Sequence, residues 1–311
     1  MIKTVVSTAL PADETFTIRK NVIANGDGKK RLCIVTGTHG DELEGQLVAF
    51  LLAKTINGNI SNLSGTVEIY PALNPLGIDT LQRGIPNFDL DMNRIFPGNP
   101  EGTMAEQTAY TIVNDLKGAD LVIDIHSSNL YLRETPQVRI NVMEEDKLVP
   151  VAKKMRIEFI WVHDAATVLE ATLAHSLNST GTPCLVAEMG VGMRVNTKMC
   201  DRLTRGILHL MHDMGMWNGE VDVSDLAESM VCKGDNVAFL NAETSGVFLT
   251  DKHTGTTVRQ GEVIGHIVSP MEGRILSEVV SPCDGFLFTI RAYPIVYEGS
   301  LMARIFMNEK K

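Results

Sequence analysis

Four stretches of this chain repeat one pattern: a short β-branched or apolar run that stops abruptly at polar residues able to do chemistry. Residues 31–36 run into Gly-Thr-His39-Gly-Asp-Glu42, and residues 67–70 into Pro-Ala-Leu-Asn74-Pro. Residues 120–125 run into His126-Ser-Ser, and residues 183–187 into Glu188-Met-Gly. Runs this apolar predict strands buried on both faces. Between them the spacing predicts amphipathic helices over 42–56, 104–117 and 196–217, the last placing Leu203, Ile207, Leu210 and Met214 on one face. Strands alternating with helices predict an α/β sheet covered by helices on both sides. In such sheets ligands bind beyond the carboxyl ends of the strands, where the four polar stops fall.

The pattern changes after about Val221. Short strand-like pieces broken by glycine follow at 245–249, 257–261, 263–267 and 285–290, with no good amphipathic helix among them. This predicts a catalytic domain over 1–222 and a small all-β domain over 223–311, with 220–228 as linker. Ser269-Pro-Met-Glu-Gly273 and Ser281-Pro-Cys-Asp-Gly285 read as one turn used twice.

Composition narrows the setting. With 44% hydrophobic and 21% charged residues the chain is ordinary for a folded globular protein. A formal charge of -10 argues against nucleic acid as a partner, because phosphate binding leaves a basic footprint. The mixed, polar N-terminus does not read as a signal peptide. The longest apolar stretch, 47–53, is far shorter than the roughly 18 residues needed to span a bilayer. Five scattered cysteines fit reduced thiols better than a disulfide framework. The expectation is a cytoplasmic protein with no membrane partner.

The strongest local signal is Gly37-Thr-His39-Gly-Asp-Glu42. A histidine and a carboxylate three apart, at a turn between strand and helix, can point at one ion. Zinc accepts imidazole nitrogen and carboxylate oxygen, and a catalytic site needs three protein ligands plus an open position for water. The same spacing also arises by chance, so a third ligand has to come from elsewhere. His126 is the natural candidate, because it ends a strand where a lone core histidine would be awkward. Asp124, on the opposite face of that strand from Ile125, could hold a ligand in its tautomer.

Taken in order, five elements make a resemblance. Gly-x-His39-Gly-x-Glu42, Asn74-Pro75, Asp91-x-Asn93-Arg94-x-Phe-Pro-Gly98, the strand ending in His126, and Glu188-x-Gly resemble the succinylglutamate desuccinylase/aspartoacylase family. That family sits within the wider zinc carboxypeptidase-like group, and the likeness covers most of the first 220 residues. It implies a mixed sheet sandwiched by helices, with one Zn2+ per subunit on His39, Glu42 and His126. The zinc would activate a water and polarise an amide carbonyl. Glu188 matches the glutamate that acts as general base and acid. Asn93 and Arg94 match the pair that receives the substrate carboxylate, for which a planar guanidinium fork is suited. Arg83 matches the arginine that stabilises the oxyanion. Arg194 matches an arginine found after the catalytic glutamate in some relatives, with substrate contact or loop anchoring as its role.

The implied activity is hydrolysis of the C–N amide bond of an N-acyl amino acid; a carboxypeptidase acting on short peptides and a non-catalytic binding protein are the alternatives. A homo-oligomer follows from family analogy. Met92 replaces a frequent leucine, and Ser127-Ser128 replaces threonine and glycine, which leaves acyl specificity open. The short β domain leaves the leaving amine open too.

Other features point elsewhere. His209 and His212 share a polar helix face with Arg205 and Asp213, as a solvated surface would. His163 reads as a turn or core residue. The glycine-rich β region resembles a biotinyl/lipoyl carrier fold in its turns, yet no lysine lies between Pro270 and Arg291 to carry the cofactor. No Gly-x-Ser-x-Gly elbow supports a serine hydrolase. Gly190-Val-Gly192 lacks the third glycine of a dinucleotide fingerprint.

Overall fold

The computed structural model describes residues 1–86, 88–164, 169–226, 228–234 and 236–307. The linker expected at 220–228 thus includes one residue, Ala227, outside the described set. The first part of the chain forms β1 (Ile2–Ala9), β2 (Thr15–Asn25), β3 (Arg31–Thr36), α1 (Glu44–Gly58), β4 (Gly65–Tyr70) and α2 (Pro75–Thr80). Next come α3 (Met104–Leu116), β5 (Leu121–Ser127), β6 (Leu132–Asn141), α4 (Glu145–Lys153), β7 (Phe159–His163), α5 (Leu173–Asn178), β8 (Cys184–Gly190) and α6 (Thr197–Asp213). The remaining strands are β9 (Met230–Lys233), β10 (Val237–Asn241), β11 (Gly246–Leu249), β12 (Thr256–Val258), β13 (Val263–Ser269), β14 (Arg274–Val280), β15 (Gly285–Arg291), β16 (Ile295–Val296) and β17 (Leu301–Met307).

The four apolar runs are the centre of one sheet. Among the described residues it is 13-stranded, with the order β1-β2-β4-β3-β5-β8-β6-β15-β17-β10 along its main path. β4, β3, β5 and β8 are parallel, while β2 and β6 flank them antiparallel, so the sheet is mixed. Every residue of β5 is buried, as expected for a strand covered on both faces. α1 and α6 cover one face through Val48, Leu52, Leu203 and Ile207, packed on Ile34, Ile123 and Leu185. α3 and α5 cover the other through Ile112, Leu116, Leu173 and Leu177, packed on Cys33, Val35 and Val122.

Helix ends follow local rules. Thr103 and Glu106 form a reciprocal capping box at the start of α3, satisfying two amides that the helix cannot. Asn196 accepts from the Met199 amide to start α6. α1 begins at Glu44, so Glu42 lies in the turn that precedes it.

The strands after residue 222 do two things. β11, β13, β14 and β16 form a separate four-stranded antiparallel sheet around Phe248, Ile264 and Ile267. β15, β17 and β10 instead extend the large sheet, because β15 pairs with β6 through Thr289, Ile290 and Arg291. Among the described residues no helix is long and apolar enough to cross a membrane.

Candidate metal and catalytic centre

The chain leaves β3 through Gly37, whose φ of +64° is a left-handed conformation that favours glycine. The following turn lowers His39 and Glu42 into the protein, where both are buried. His126 arrives on β5, one strand away. The ligating atoms of His39, Glu42 and His126 all lie within 4.8 Å of one another. Nδ1 of His39 is 2.7 Å from Glu42 Oε1, and Nδ1 of His126 is 2.9 Å from Glu42 Oε2.

Carboxylates hold the outer nitrogens. His39 Nε2 lies 2.9 Å from Asp91 Oδ1, and His126 Nε2 lies 3.0 Å from Asp124 Oδ2. A ring that donates its Nε2–H to a carboxylate keeps a bare lone pair on Nδ1. Two such lone pairs cannot sit this close to an ionised Glu42 unless a cation stands among them. Protonation of the rings is one way, and the electrostatics show how strongly positive charge is favoured. Burial opposes it, yet Glu42, Asp91 and Asp124 still raise both imidazoles above their ordinary value. Burial likewise opposes ionisation of Glu42, but His126 and His39 hold it well below the usual carboxylate range. The donor set, two imidazoles and one carboxylate, is one that zinc accepts. The residues present therefore fit a divalent ion.

Glu188 lies opposite His126 across the β5–β8 ladder. Burial raises it to about 7, against the pull of Arg139. His39, Glu42, His126, Glu188, Arg83, Asn93 and Arg94 all line one cavity of about 740 Å³. Arg83 donates to Glu42 Oε1 at 2.9 Å and lies 3.4 Å from Asp91 Oδ2. Asn93 Oδ1 accepts from the Leu173 amide at 2.9 Å, which leaves its NH2 group for the cavity. Arg94 is exposed, with one Nη donating to the Asn93 carbonyl. Arg194 is exposed on the loop after β8 and donates to the Met193 carbonyl; it is not among the described residues that line the cavity.

Several residues at the site carried no assigned role from sequence. Asp91 ties the centre together: its Oδ1 meets His39 and also accepts from the Asn93 amide at 2.8 Å, so the Asn-Arg turn and the His39 ring share one anchor. Its place in Asp-x-Asn-Arg was the available signal. Glu44 is fully buried and clasps two other segments. It accepts from the Val191 amide at 3.2 Å, just beyond Glu188, and binds the Ser127 hydroxyl, just beyond His126. Glu134, Arg139 and Arg304 also line the cavity, as does His163 at the end of β7. Burial, aided by Arg139 and Arg304, pushes His163 down to about 4 and so keeps it neutral at neutral pH. His209 donates to the Lys154 carbonyl and His212 is exposed, away from the centre.

A mixed α/β sheet thus brings these side chains together at its strand ends. The chain belongs to the succinylglutamate desuccinylase/aspartoacylase family, whose catalytic-domain model matches residues 28–214. It is similar to the N-alpha-acetyl-L-2,4-diaminobutyric acid deacetylase of Halomonas elongata, with 24% identity over 254 residues, covering 79% of this chain and 72% of that protein. Among solved structures it is similar in fold to a succinylglutamate desuccinylase/aspartoacylase from Rhodobacter sphaeroides, with TM-score 0.82 and 24% identity over 100% of this chain and 96% of that one. The product-bound ectoine utilization protein EutE (DoeB) from Ruegeria pomeroyi shares the fold with TM-score 0.81 and 22% identity, covering 97% and 93% of the two chains.

Proposed function

We propose that this chain is a zinc-dependent N-acyl amino acid deacylase that releases a carboxylate and a free amine. The observation that carries the reading is the convergence of His39, Glu42 and His126 within 4.8 Å in a cavity also lined by Glu188, Asn93 and Arg94. When bound, the ion supplies Lewis acidity, which activates water and polarises a carbonyl at neutral pH.

The chain's own residues do the rest. Asn93 and Arg94 dock the substrate carboxylate at the cavity rim, the guanidinium contributing a planar pair of donors. Arg83, anchored on Glu42 and Asp91, offers positive charge to the oxyanion that develops from the amide carbonyl. Glu188 takes a proton from the attacking water and delivers it to the departing amine. A carboxyl raised to about 7 suits both halves of that exchange. Asp91 and Asp124 fix the tautomers of the two ring ligands.

The Halomonas relative is named for an N-acetylated diamino acid, so short acyl groups on amino acids with a polar side chain head the candidate substrates. A panel of N-acetyl, N-succinyl and longer N-acyl amino acids, with dipeptides as the comparison, tests the reading. Turnover confined to the dipeptides would replace the deacylase by a carboxypeptidase. Glu188→Gln should retain zinc and lower kcat by about 100- to 10,000-fold. Undiminished kcat removes Glu188 from the reaction.

A further inference from the structure

Beyond Glu188 the cavity lining holds a chain of alternating charges that reaches β17. β6 runs antiparallel to β8, which sets Gln137 opposite Glu188 and Arg139 opposite Val186. Arg139 Nη1 lies 3.3 Å from Glu188 Oε2. Its other terminal nitrogen, Nη2, lies 2.5 Å from Glu134 Oε2. Glu134 is 1% exposed, and its second oxygen accepts from Arg304 Nη1 on β17 at 2.8 Å. Gln137 adds a further hydrogen bond to Glu134 at 2.9 Å. Both guanidiniums pack over the Trp161 ring, 5.5 and 5.4 Å from its centre.

This arrangement restrains motion in a way a single ion pair does not. The two terminal nitrogens of Arg139 hold different carboxylates, so turning the fork toward one breaks the contact with the other. The Trp161 face blocks tilting out of that plane. Glu134 is held in turn by Arg304, Gln137, Arg139 and the Thr289 hydroxyl. Exposed ion pairs contribute little, but here Glu134 is enclosed, the two guanidiniums are half-buried, and the partners form a network. A carboxylate that transfers protons loses rate steeply when it is misplaced by about 1 Å.

We propose that Arg139 is a positioning residue for amide hydrolysis: it holds the Glu188 carboxylate at the edge of the His39–Glu42–His126 cluster, and Glu134 with Arg304 holds Arg139. The proposal rests on the reading of Glu188 as the proton shuttle. It also gives the C-terminal part of the chain a stake in the reaction, since Arg304 lies outside the 28–214 match.

A double-mutant cycle tests it with the full-length, zinc-loaded protein. Arg139→Met should lower kcat by about 10- to 100-fold while KM changes by less than about threefold. In a Glu188→Gln background the same substitution should cost less than about twofold, because there is no shuttle left to position. Loss through KM alone, or an undiminished effect in the Glu188→Gln background, overturns the proposal. Arg304→Met should act in the same direction more weakly, and carries the same two comparisons if Arg139→Met does not fold. Crystal structures of wild type and Arg139→Met supply a readout without turnover. The Glu188 carboxylate should move by about 1 Å or spread over more than one rotamer, and an unmoved carboxylate refutes the assignment. Absence of any deacylase turnover in the wild type would instead sink the proposed function, and leaves the crystallographic comparison to decide the role of Arg139.

Discussion

Acid should weaken this fold through one carboxylate in particular. Glu68, on β4, is almost enclosed and accepts from Lys20 Nζ at 3.0 Å, Arg31 Nη2 at 2.7 Å and the Tyr70 hydroxyl at 2.9 Å, with the Cys33 thiol at 3.7 Å. Asp115 of α3 closes the group by accepting from Lys20 at 2.7 Å. Burial by itself would push Glu68 up, but Arg31, Lys20 and Tyr70 overcome it and hold the carboxyl down at about 2, against an ordinary value of 4.5. That gap corresponds to about 3 kcal/mol of stability. Because the folded value is the lower one, the contribution is complete above the unfolded value of about 4.5 and is lost as pH falls toward about 2. By pH 3 about 2 kcal/mol of it should be gone. Other carboxylates also titrate in this range, so the comparison is with Glu68→Gln. Urea unfolding at pH 6 and pH 3 should show the wild-type advantage over the variant shrinking by about 2 kcal/mol. A difference between the two proteins that stays constant with pH, or grows in acid, refutes the argument. The cluster lies along β2, β3, β4 and α3, and turnover enters the comparison only through the folded fraction.

Two further substitutions probe the centre itself. Asp124→Asn should weaken binding of the proposed zinc by about 10- to 100-fold, because the acceptor that fixes the His126 ring loses its charge. Competition with a chromogenic chelator measures this, and unchanged affinity would show that Asp124 does not orient the ligand. Gly190→Ala should lower stability by at least about 1–2 kcal/mol. The residue has a φ of +67°, and the new methyl group would occupy the space of the Glu44 carboxylate. A thermal midpoint equal to wild type would show that Glu44 can leave its clasp freely.

Much of the centre was legible along the chain because it is written in local terms. A strand buried on both faces must be a continuous apolar run, so β3, β5 and β8 announce themselves. Polar residues at the ends of parallel strands must share one edge of the sheet, so His39, His126 and Glu188 could be grouped without coordinates. β6 was invisible for the complementary reason. Its sequence, Leu-Arg-Glu-Thr-Pro-Gln-Val-Arg-Ile-Asn, places Glu134 and Arg139 on the cavity and Gln137 against Glu134, and these polar residues mask the apolar alternation.

Sequence by itself thus determined the α/β class, the central strands and the four side chains on which the proposed chemistry turns. Folding alone decided which carboxylates hold the rings, since Asp91 reaches His39 from 52 residues away. It also decided that β15 and β17 join the main sheet, which brings Arg304 to Glu134 across 170 residues. The physical reason is the same in both cases. Strand and helix preferences are set by neighbours a few residues apart, whereas a buried ion pair is chosen by whichever charge the finished packing places within reach.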